Sequence, residues 1–199
     1  MKRPGIKYKE LTDESLMLHI CNADTIAFNE LYNRYKDRLL YYFYRMLGNV
    51  KEKAQDFLQD IFYKIVEKPE MFDPKKKFST WLFSVAYNMC KNEYRRMKVR
   101  EIMLTGDNND IYPEPENDQS DKKEIIDLIF KELEKLEEWH KTAFLLRYRE
   151  GFCLEEISQV LELPVGTIKS RLFYARKKIL EKVNREIIYE FNDRNDEKD

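Results

Sequence analysis

Apolar residues recur every three to four positions along two long stretches of the chain, the spacing at which one face of a helix turns inward. The first stretch runs from Asp24 to about Lys98 and the second from Lys122 onward. No regular period is found between Glu101 and Asp121. The pattern predicts an all-α protein in which a flexible acidic linker joins two small helical domains. The predicted bounds are 1–100 for the first domain, 101–121 for the linker, 122–191 for the second domain and 192–199 for a charged, frayed tail.

Three helices are predicted in the main part of the first domain. The first begins at Asp24 and its apolar face holds Phe28, Leu31, Tyr32, Tyr35 and Leu39. Gly48 and Asn49 then supply a stop. The second helix ends before Pro69, since proline cannot continue the hydrogen-bond ladder, and its apolar set is Ala54, Phe57, Leu58, Ile61, Phe62, Ile65 and Val66. The third begins after Asp73 and Pro74 with Ser79 or Thr80 as its cap, and its predicted inner face is Phe78, Leu82, Val85 and Met89.

The second domain ends in a helix-turn-helix pattern. Two helices come first, with the apolar positions Ile125, Leu128, Ile129, Leu133 and Leu136, then Ala143, Phe144, Leu145 and Tyr148. After Gly151, a short helix is predicted over Leu154–Leu161 and a longer one after Pro164. Pro164 suits the first turn of that helix, because its missing N–H would have no intrahelical partner there. The inner positions of this last helix are Ile168, Leu172, Ala175 and Ile179.

Composition favours helices and places the protein in a reducing compartment. The 199 residues include only five glycines and six prolines, and the net charge of -1 conceals 36 basic and 37 acidic side chains. Three scattered cysteines with two histidines give no metal-ligand spacing, and the chain begins without a secretory signal. No segment has the roughly 20 apolar residues that a membrane span needs. The expectation is a cytoplasmic protein without membrane insertion, cofactor or metal.

The strongest chemical signal lies on the last predicted helix. Residues 165–178 contain five basic side chains and no acid, and the positions that face away from the core are Lys169, Ser170, Phe173 and Tyr174. Lysine reaches guanine acceptors, serine bonds base edges or phosphate, and an aromatic ring packs on a thymine methyl. The alternative is a solvated helix face, but the preceding helix and turn favour DNA binding.

A second basic window covers residues 87–100, where five bases outweigh Glu93 directly after an aromatic-rich stretch. Aromatic and amide side chains can hold unstacked bases while basic side chains hold their phosphates, so this window suits unpaired DNA. Core packing is the favoured interpretation for Phe78, whereas for Trp81 core packing and base contact have equal weight. Asn88 and the bases that follow it are harder to explain as packing.

A third surface is acidic: Asp56, Gln59, Asp60 and Tyr63 form one stripe of the second helix, which would meet a basic partner protein or simply be solvated. From the stripe alone, solvation is the favoured interpretation. Catalysis has no support, because the chain has no glycine-rich phosphate loop, nucleophile elbow or zinc-protease motif. An enzyme is therefore not expected.

Several segments resemble the extracytoplasmic-function subfamily of the sigma-70 family. The run Ala27–Tyr35 and then Tyr44–Asn49 resemble the opening of sigma region two, and Asp56–Phe62 looks like its core-polymerase-binding helix. Phe78–Asn88 is similar to the promoter-melting segment, and Leu163–Leu172 to the region-four recognition helix. The short linker in place of a folded middle domain is typical of this subfamily.

The resemblance implies an alternative sigma factor that binds core RNA polymerase, directs it to promoters and helps melt them. It assigns polymerase docking, on the β′ coiled coil, to Asp56, Gln59, Asp60 and Tyr63. It assigns capture of the unpaired minus-ten strand to Trp81, Asn88, Lys91, Asn92, Arg95 and Arg96. It assigns the minus-thirty-five element to Thr167, Lys169, Ser170, Arg171, Phe173, Tyr174, Arg176 and Lys177, with Arg171 and Arg176 on phosphate.

Further partners implied by the resemblance are the β flap of polymerase, promoter DNA and an inhibitory anti-sigma factor, and the free protein is expected to be a monomer. The linker would thread toward the polymerase active-site channel. Two positions depart from the family pattern: Tyr174 stands where a basic residue is frequent, and Ser84 where arginine is common. The main alternative is a helix-turn-helix regulator that acts without polymerase, and a third is a protein-interaction adaptor.

Overall fold

The computed structural model describes the backbone of residues 7–103 and 121–196, and the side chains of 7–99, 126 and 128–183. Its helices are α1 (Asp13–Ile20), α2 (Thr25–Met46), α3 (Lys51–Glu67), α4 (Phe78–Met103), α5 (Asp121–Glu134), α6 (Glu138–Phe144), α7 (Leu154–Leu161) and α8 (Val165–Asp196). Short 3-10 turns cover Tyr8–Glu10 and Pro69–Met71, and a π-helical turn covers Leu145–Arg149. The all-α prediction is confirmed for the described residues.

The helices form two compact units. The first is built from α1 to α4, and the second from α5, α6, α8 and the start of α7. The predicted linker falls between them, and its residues 104–120 lie outside the described ranges. Helix α4 continues to Met103, into the stretch assigned to the linker, and α8 continues to Asp196, into the stretch assigned to the tail.

The core of the first unit is formed by α1 to α4, and α1 buries Leu16, Met17 and Ile20. Helix α2 buries Ala27, Leu31, Tyr35, Leu39, Tyr42, Phe43 and Met46. Helix α3 buries Ala54, Ile61, Phe62 and Ile65. Phe28 and Tyr32 of the predicted apolar face are only half-buried, and Val66 is exposed. These three side chains lie at the edge of the core, where they remain available for contact with another molecule.

Both ends of α2 have a local cause. The Asp24 carboxylate caps the first turn by accepting from the N–H groups of Ile26 and Ala27, at 3.0 and 3.3 Å. At the other end, Gly48 and Asn49 adopt φ values of 74° and 60°. Glycine and asparagine tolerate this left-handed conformation better than most residues, so they end the helix as predicted.

The start of α4 is not capped by Ser79 or Thr80, and that prediction is wrong. Phe78 is already helical, so both hydroxyls lie inside the first turn, buried and with no hydrogen-bond partner among the described residues. The Phe78 N–H donates instead to the Glu14 carboxylate of α1, at 2.9 Å. The cap therefore comes from a helix distant in sequence.

The inner face of α4 also differs from the prediction. Phe78 and Leu82 are buried, but Val85 and Met89 are only half-buried. The other buried apolar positions among the described side chains of α4 are Phe83, Ala86 and Cys90. Because α1, α2 and α3 all contact this helix, its buried surface is rotated toward that set.

Replacing Glu14 with glutamine should destabilise the first unit by about 1 kcal/mol at neutral pH, the usual effect of losing a charged cap. Burial raises the pKa of Glu14, but hydrogen bonds from Phe78, its own N–H and Thr12, with the charge of Lys77, outweigh burial and lower it overall. The stabilisation is thus complete above the ordinary value of 4.5 and is lost as the pH falls through the lower folded value. Urea unfolding of the wild type and of Glu14→Gln at several pH values measures this difference in unfolding free energy. A difference that persists at pH 2 would contradict the assignment to the ionised Glu14 carboxylate.

The N-terminal segment is fastened to α2 by Arg34. Its guanidinium bonds the carboxylates of Asp13 and Glu30 at 2.8 and 2.9 Å and the carbonyl oxygen of Leu11 at 2.9 Å. Arg34 lies on the opposite side of α2 from Tyr32 and Lys36, since two residues turn a helix by about 200°. The segment that contains Glu10 is therefore attached away from the side of α2 that carries Tyr32.

The second unit contains the predicted helix-turn-helix. Its buried positions include Leu133, Ala143, Leu145, Leu146, Phe152, Ile157, Ile168, Leu172, Ala175 and Ile179. Gly151, in the turn before α7, has a left-handed φ of 76°. Leu154, the first residue of α7, is half-buried. Pro164 directly precedes α8, and its carbonyl accepts from the N–H groups of Thr167 and Ile168. Proline therefore stands at the helix start, one residue before its predicted position.

Candidate polymerase and nucleic-acid interfaces

The outward face of α8 is open to solvent along its first turns. Lys169, Ser170, Phe173 and Tyr174 are all exposed, Phe173 to 69% and Tyr174 to 43%. The opposite face packs into the core of the unit. An exposed phenylalanine among basic and hydroxyl side chains is unusual for a solvated face and suits contact with base edges and thymine methyl groups.

The other candidates on α8 differ in accessibility. Arg176 and Lys177 are exposed, and the Lys177 ammonium lies 3.9 Å from the Glu181 carboxylate. Thr167 is half-buried in the first turn. Arg171 is also half-buried, with its Cζ 5.9 Å from the ring centroid of Trp139 on α6. The guanidinium of Arg171 is therefore held by the protein and is not freely solvated.

Helix α7 begins with a capping box that uses sulfur. The Cys153 N–H donates to the Glu156 carboxylate at 2.8 Å, and the Glu156 N–H donates to the Cys153 Sγ at 3.4 Å. This is the reciprocal pattern that serine or threonine makes with a glutamate three positions on. Sequence reasoning missed it, although Cys153 to Glu156 has the spacing that signals it. The box fixes the start of α7, the first helix of the helix-turn-helix.

The stripe on α4 carries the predicted single-strand contacts. Asn88, Asn92, Arg95 and Arg96 are exposed, whereas Lys91 is half-buried with its ammonium 5.8 Å from the Tyr87 ring centroid. The Arg96 guanidinium lies 4.0 Å from the Glu93 carboxylate, which partly offsets its charge. Amide and basic side chains thus share one accessible surface.

Trp81 combines the two roles that the sequence left open. Its ring packs on Phe72 and Phe78, with centroid distances of 5.3 and 5.7 Å, yet Trp81 itself is only half-buried. Phe78 is fully buried, so core packing is confirmed for it. The Ser84 hydroxyl donates to the Trp81 carbonyl at 2.7 Å. Trp81 is therefore anchored on its core side while part of its surface stays accessible.

The loop before α4 adds basic charge that sequence reasoning passed over. Lys75, Lys76 and Lys77 are consecutive and exposed, and the run itself was a signal. Asp73 fixes the turn, since its carboxylate accepts from the Lys75 N–H at 3.0 Å and its carbonyl from the Lys76 N–H at 2.9 Å. These lysines lie four to six residues before Trp81 in the sequence.

The acidic stripe on α3 borders an apolar groove. Asp56, Gln59, Asp60 and Tyr63 are exposed, Tyr63 to 65%. The groove has a volume of about 660 Å³, and its lining includes Phe28, Tyr32, Leu40, Leu58, Gln59, Phe62, Tyr63 and Val66. An apolar groove beside carboxylates fits an amphipathic helix with basic flanks. The groove arises from α2 and α3 together, which a pattern on one helix cannot reveal.

No helix among the described residues has the length and apolar character required to cross a bilayer. Within the same ranges, no three histidine, cysteine or carboxylate side chains gather as metal ligands would.

The described residues thus form an all-helical chain of two compact units, with a helix-turn-helix and an exposed apolar groove. Residues 31–100 match the family model for Sigma-70 region 2, and residues 126–179 match that for Sigma-70, region 4. The ECF RNA polymerase sigma-E factor of Haemophilus influenzae is 31% identical, over 88% of this chain and 97% of its own length. The ECF RNA polymerase sigma factor SigW of Bacillus subtilis is 29% identical, over 84% of this chain and 95% of its own.

Solved structures agree in fold. The structure of CnrH in complex with the cytosolic domain of CnrY has a TM-score of 0.65 at 21% identity, covering 87% of this chain and 97% of that one. The chain belongs to the extracytoplasmic-function sigma factors. It is an alternative sigma factor, a transcription initiation factor that acts with RNA polymerase on promoter DNA.

Proposed function

We propose that the three exposed surfaces divide the work of promoter recognition. The outward face of α8 reads the minus-thirty-five element in duplex DNA, and the α4 stripe captures unpaired bases of the minus-ten element. The stripe and groove on α3 dock on the β′ coiled coil. The observation that carries this proposal is the exposure of Phe173 and Lys169 together on a helix-turn-helix.

Polymerase performs all bond formation, so the chain itself has no catalytic step. Opening the promoter requires no ATP, because binding to flipped bases offsets the few kcal/mol that unstacking costs for each base. Asn88 contributes an amide that can bond the edge of a captured base, and Trp81 an aromatic face. Arg95 and Arg96 hold the phosphates of the same strand.

We place the protein in the cytoplasm as a monomer that an anti-sigma factor holds inactive. The structure of CnrH was solved with the cytosolic domain of CnrY, which supports a partner of that kind here. A further sigma factor of this fold, RpoE from Bartonella quintana, was solved with the anti-sigma factor NepR. The exposed groove of the first unit and the exposed face of α8 are the surfaces that such a partner would cover.

Replacing Lys169 with alanine should relax promoter preference at one base pair of the minus-thirty-five element. A lysine contact to a guanine edge contributes about 1 kcal/mol or more, so discrimination there should fall about fivefold. The measurement is transcription by the reconstituted holoenzyme from promoters that differ at single upstream positions. Lys182→Ala, at an exposed lysine farther along α8, is the matched control and should transcribe like the wild type.

If Lys169→Ala instead lowers transcription equally from every promoter, Lys169 contacts phosphate. If the promoter preference is unchanged, Lys169 does not contact the minus-thirty-five element. Tight binding of the isolated chain to the same duplex, without polymerase, would favour a conventional helix-turn-helix regulator.

A further inference from the structure

Tyr174 is not an isolated side chain on α8, because an aromatic ring from α6 lies against it. The ring centroids of His140 and Tyr174 are 4.5 Å apart, with 31° between the planes. This is a tilted contact between two rings, at a centroid distance usual for an aromatic pair. His140 is half-buried while Tyr174 is 43% exposed. One side of the tyrosine is therefore covered by protein, and the rest reaches solvent beside Phe173.

The imidazole of His140 acts as a flat neutral ring. Burial lowers its pKa, and the positive charge of Arg171 lowers it further, against a smaller opposing effect of Glu137. Its Nδ1 is buried and has no hydrogen-bond partner in the part of the chain that the structure describes. Stacking is thus the main interaction that the described residues offer this ring, and a phenylalanine could make the same contact.

The neighbouring residue of α6 serves α8 in a similar way. The Trp139 ring centroid is 6.1 Å from that of His140, and the Arg171 Cζ lies 5.9 Å from the Trp139 ring. Two adjacent rings on α6 therefore contact two side chains of the predicted DNA-reading helix. Since α6 and α8 pack together, this arrangement is part of the fold of the second unit.

We propose that His140 is a specificity-determining residue of minus-thirty-five recognition, which positions Tyr174 by stacking on it. The proposal rests on the function proposed above, in which the outward face of α8 reads duplex DNA. A ring held against α6 meets the groove in one orientation, with its edge and hydroxyl foremost. Preorganisation of this kind removes the cost of ordering the side chain at the moment of binding.

Loss of the contact between His140 and Tyr174 should alter the promoter preference of the holoenzyme, and not only its level of transcription. Without His140, Tyr174 samples several rotamers, so its contact discriminates less between base pairs. Lys169 and Phe173 keep their own contacts, because no described contact joins either to His140. The base positions that lose preference should consequently be those that depend on Tyr174.

The test is a promoter library with randomised minus-thirty-five positions, transcribed by core polymerase with the full chain. The variants are His140→Ala, His140→Phe, Tyr174→Ala and the His140→Ala/Tyr174→Ala double mutant. His140→Ala should reduce discrimination about fivefold at the positions that Tyr174→Ala affects. His140→Phe should keep it, and the double mutant should resemble Tyr174→Ala alone. Tyr148→Ala, an exposed aromatic of the same unit that pairs with Phe144, is the matched control.

Melting temperatures of each variant separate positioning from folding. The proposal is overturned if His140→Ala lowers transcription equally across the library, if His140→Phe is as damaging as alanine, or if the two alanine effects simply add. A changed profile for Tyr174→Ala with an unchanged one for His140→Ala overturns this proposal alone. An unchanged profile for Tyr174→Ala overturns it together with the DNA-reading role of Tyr174.

Discussion

Replacing Asp60 with lysine and Tyr63 with alanine should remove the chain from RNA polymerase while leaving it folded. Both side chains are exposed, and the core side of α3 is formed by other residues, Ile61 and Ile65 among them. A buried tyrosine at an interface commonly contributes about 2 kcal/mol or more, and reversing a complementary charge adds to that loss. Affinity for core polymerase should consequently fall about 30-fold or more.

Competition for core polymerase against a fluorescently labelled wild-type chain measures this loss. Glu10→Lys is the matched charge reversal, since Glu10 is exposed on the N-terminal segment that Arg34 attaches away from the groove. That control should compete like the wild type. Undiminished competition by the Asp60→Lys/Tyr63→Ala protein would mean that the stripe is solvated and that polymerase docks elsewhere.

Replacing Asn88 with alanine should slow promoter opening about tenfold, because one hydrogen-bonded base contact contributes about 1–3 kcal/mol. The side chain is exposed on α4, so the fold should be unaffected. The defect should appear after the closed complex forms, since duplex reading upstream belongs to α8. Fluorescence of a base analogue in the minus-ten element follows opening directly.

A template whose minus-ten region is already mismatched distinguishes the proposed role from others. Because that template needs no strand separation, Asn88→Ala should transcribe it within about twofold of the wild type. Asn22→Ala removes an exposed amide outside α4 and is the matched control. Normal opening on duplex DNA by Asn88→Ala would exclude Asn88 from base capture.

The sequence was sufficient where a feature depends on one segment. The period of apolar residues predicted α2 and α3 because each buries a single continuous stripe, and Gly48 marked the end of α2 because its backbone conformation favours glycine. The accessible face of α8 followed from the same period. In each case the cause lies within a few residues of its effect.

The features that the sequence did not predict depend on contacts between distant segments. Glu14 caps α4 from 64 positions away, which no local pattern of Ser79 or Thr80 could signal. The rotated inner face of α4 results from helices that pack around it. The contact between His140 and Tyr174 has no local signal in the sequence, because the two residues lie on different helices.

The groove beside the acidic stripe is the most informative of these additions. The stripe that contains Asp56 and Asp60 taken alone favoured a solvated helix surface, and only the family resemblance favoured a binding site. The groove places exposed apolar side chains, including Tyr63 and Val66, next to those carboxylates. Apolar area bordered by charge is characteristic of a protein interface, so the structure adds a physical reason for docking there.

The most direct measurement of sigma activity is transcript-start mapping with purified protein, sigma-free bacterial core polymerase and fragmented DNA from the source genome. Discrete new starts that share two upstream elements at fixed spacing are the expected result. The absence of discrete starts, with a folded protein and a polymerase that is active with a control sigma factor, would contradict promoter selection by this chain.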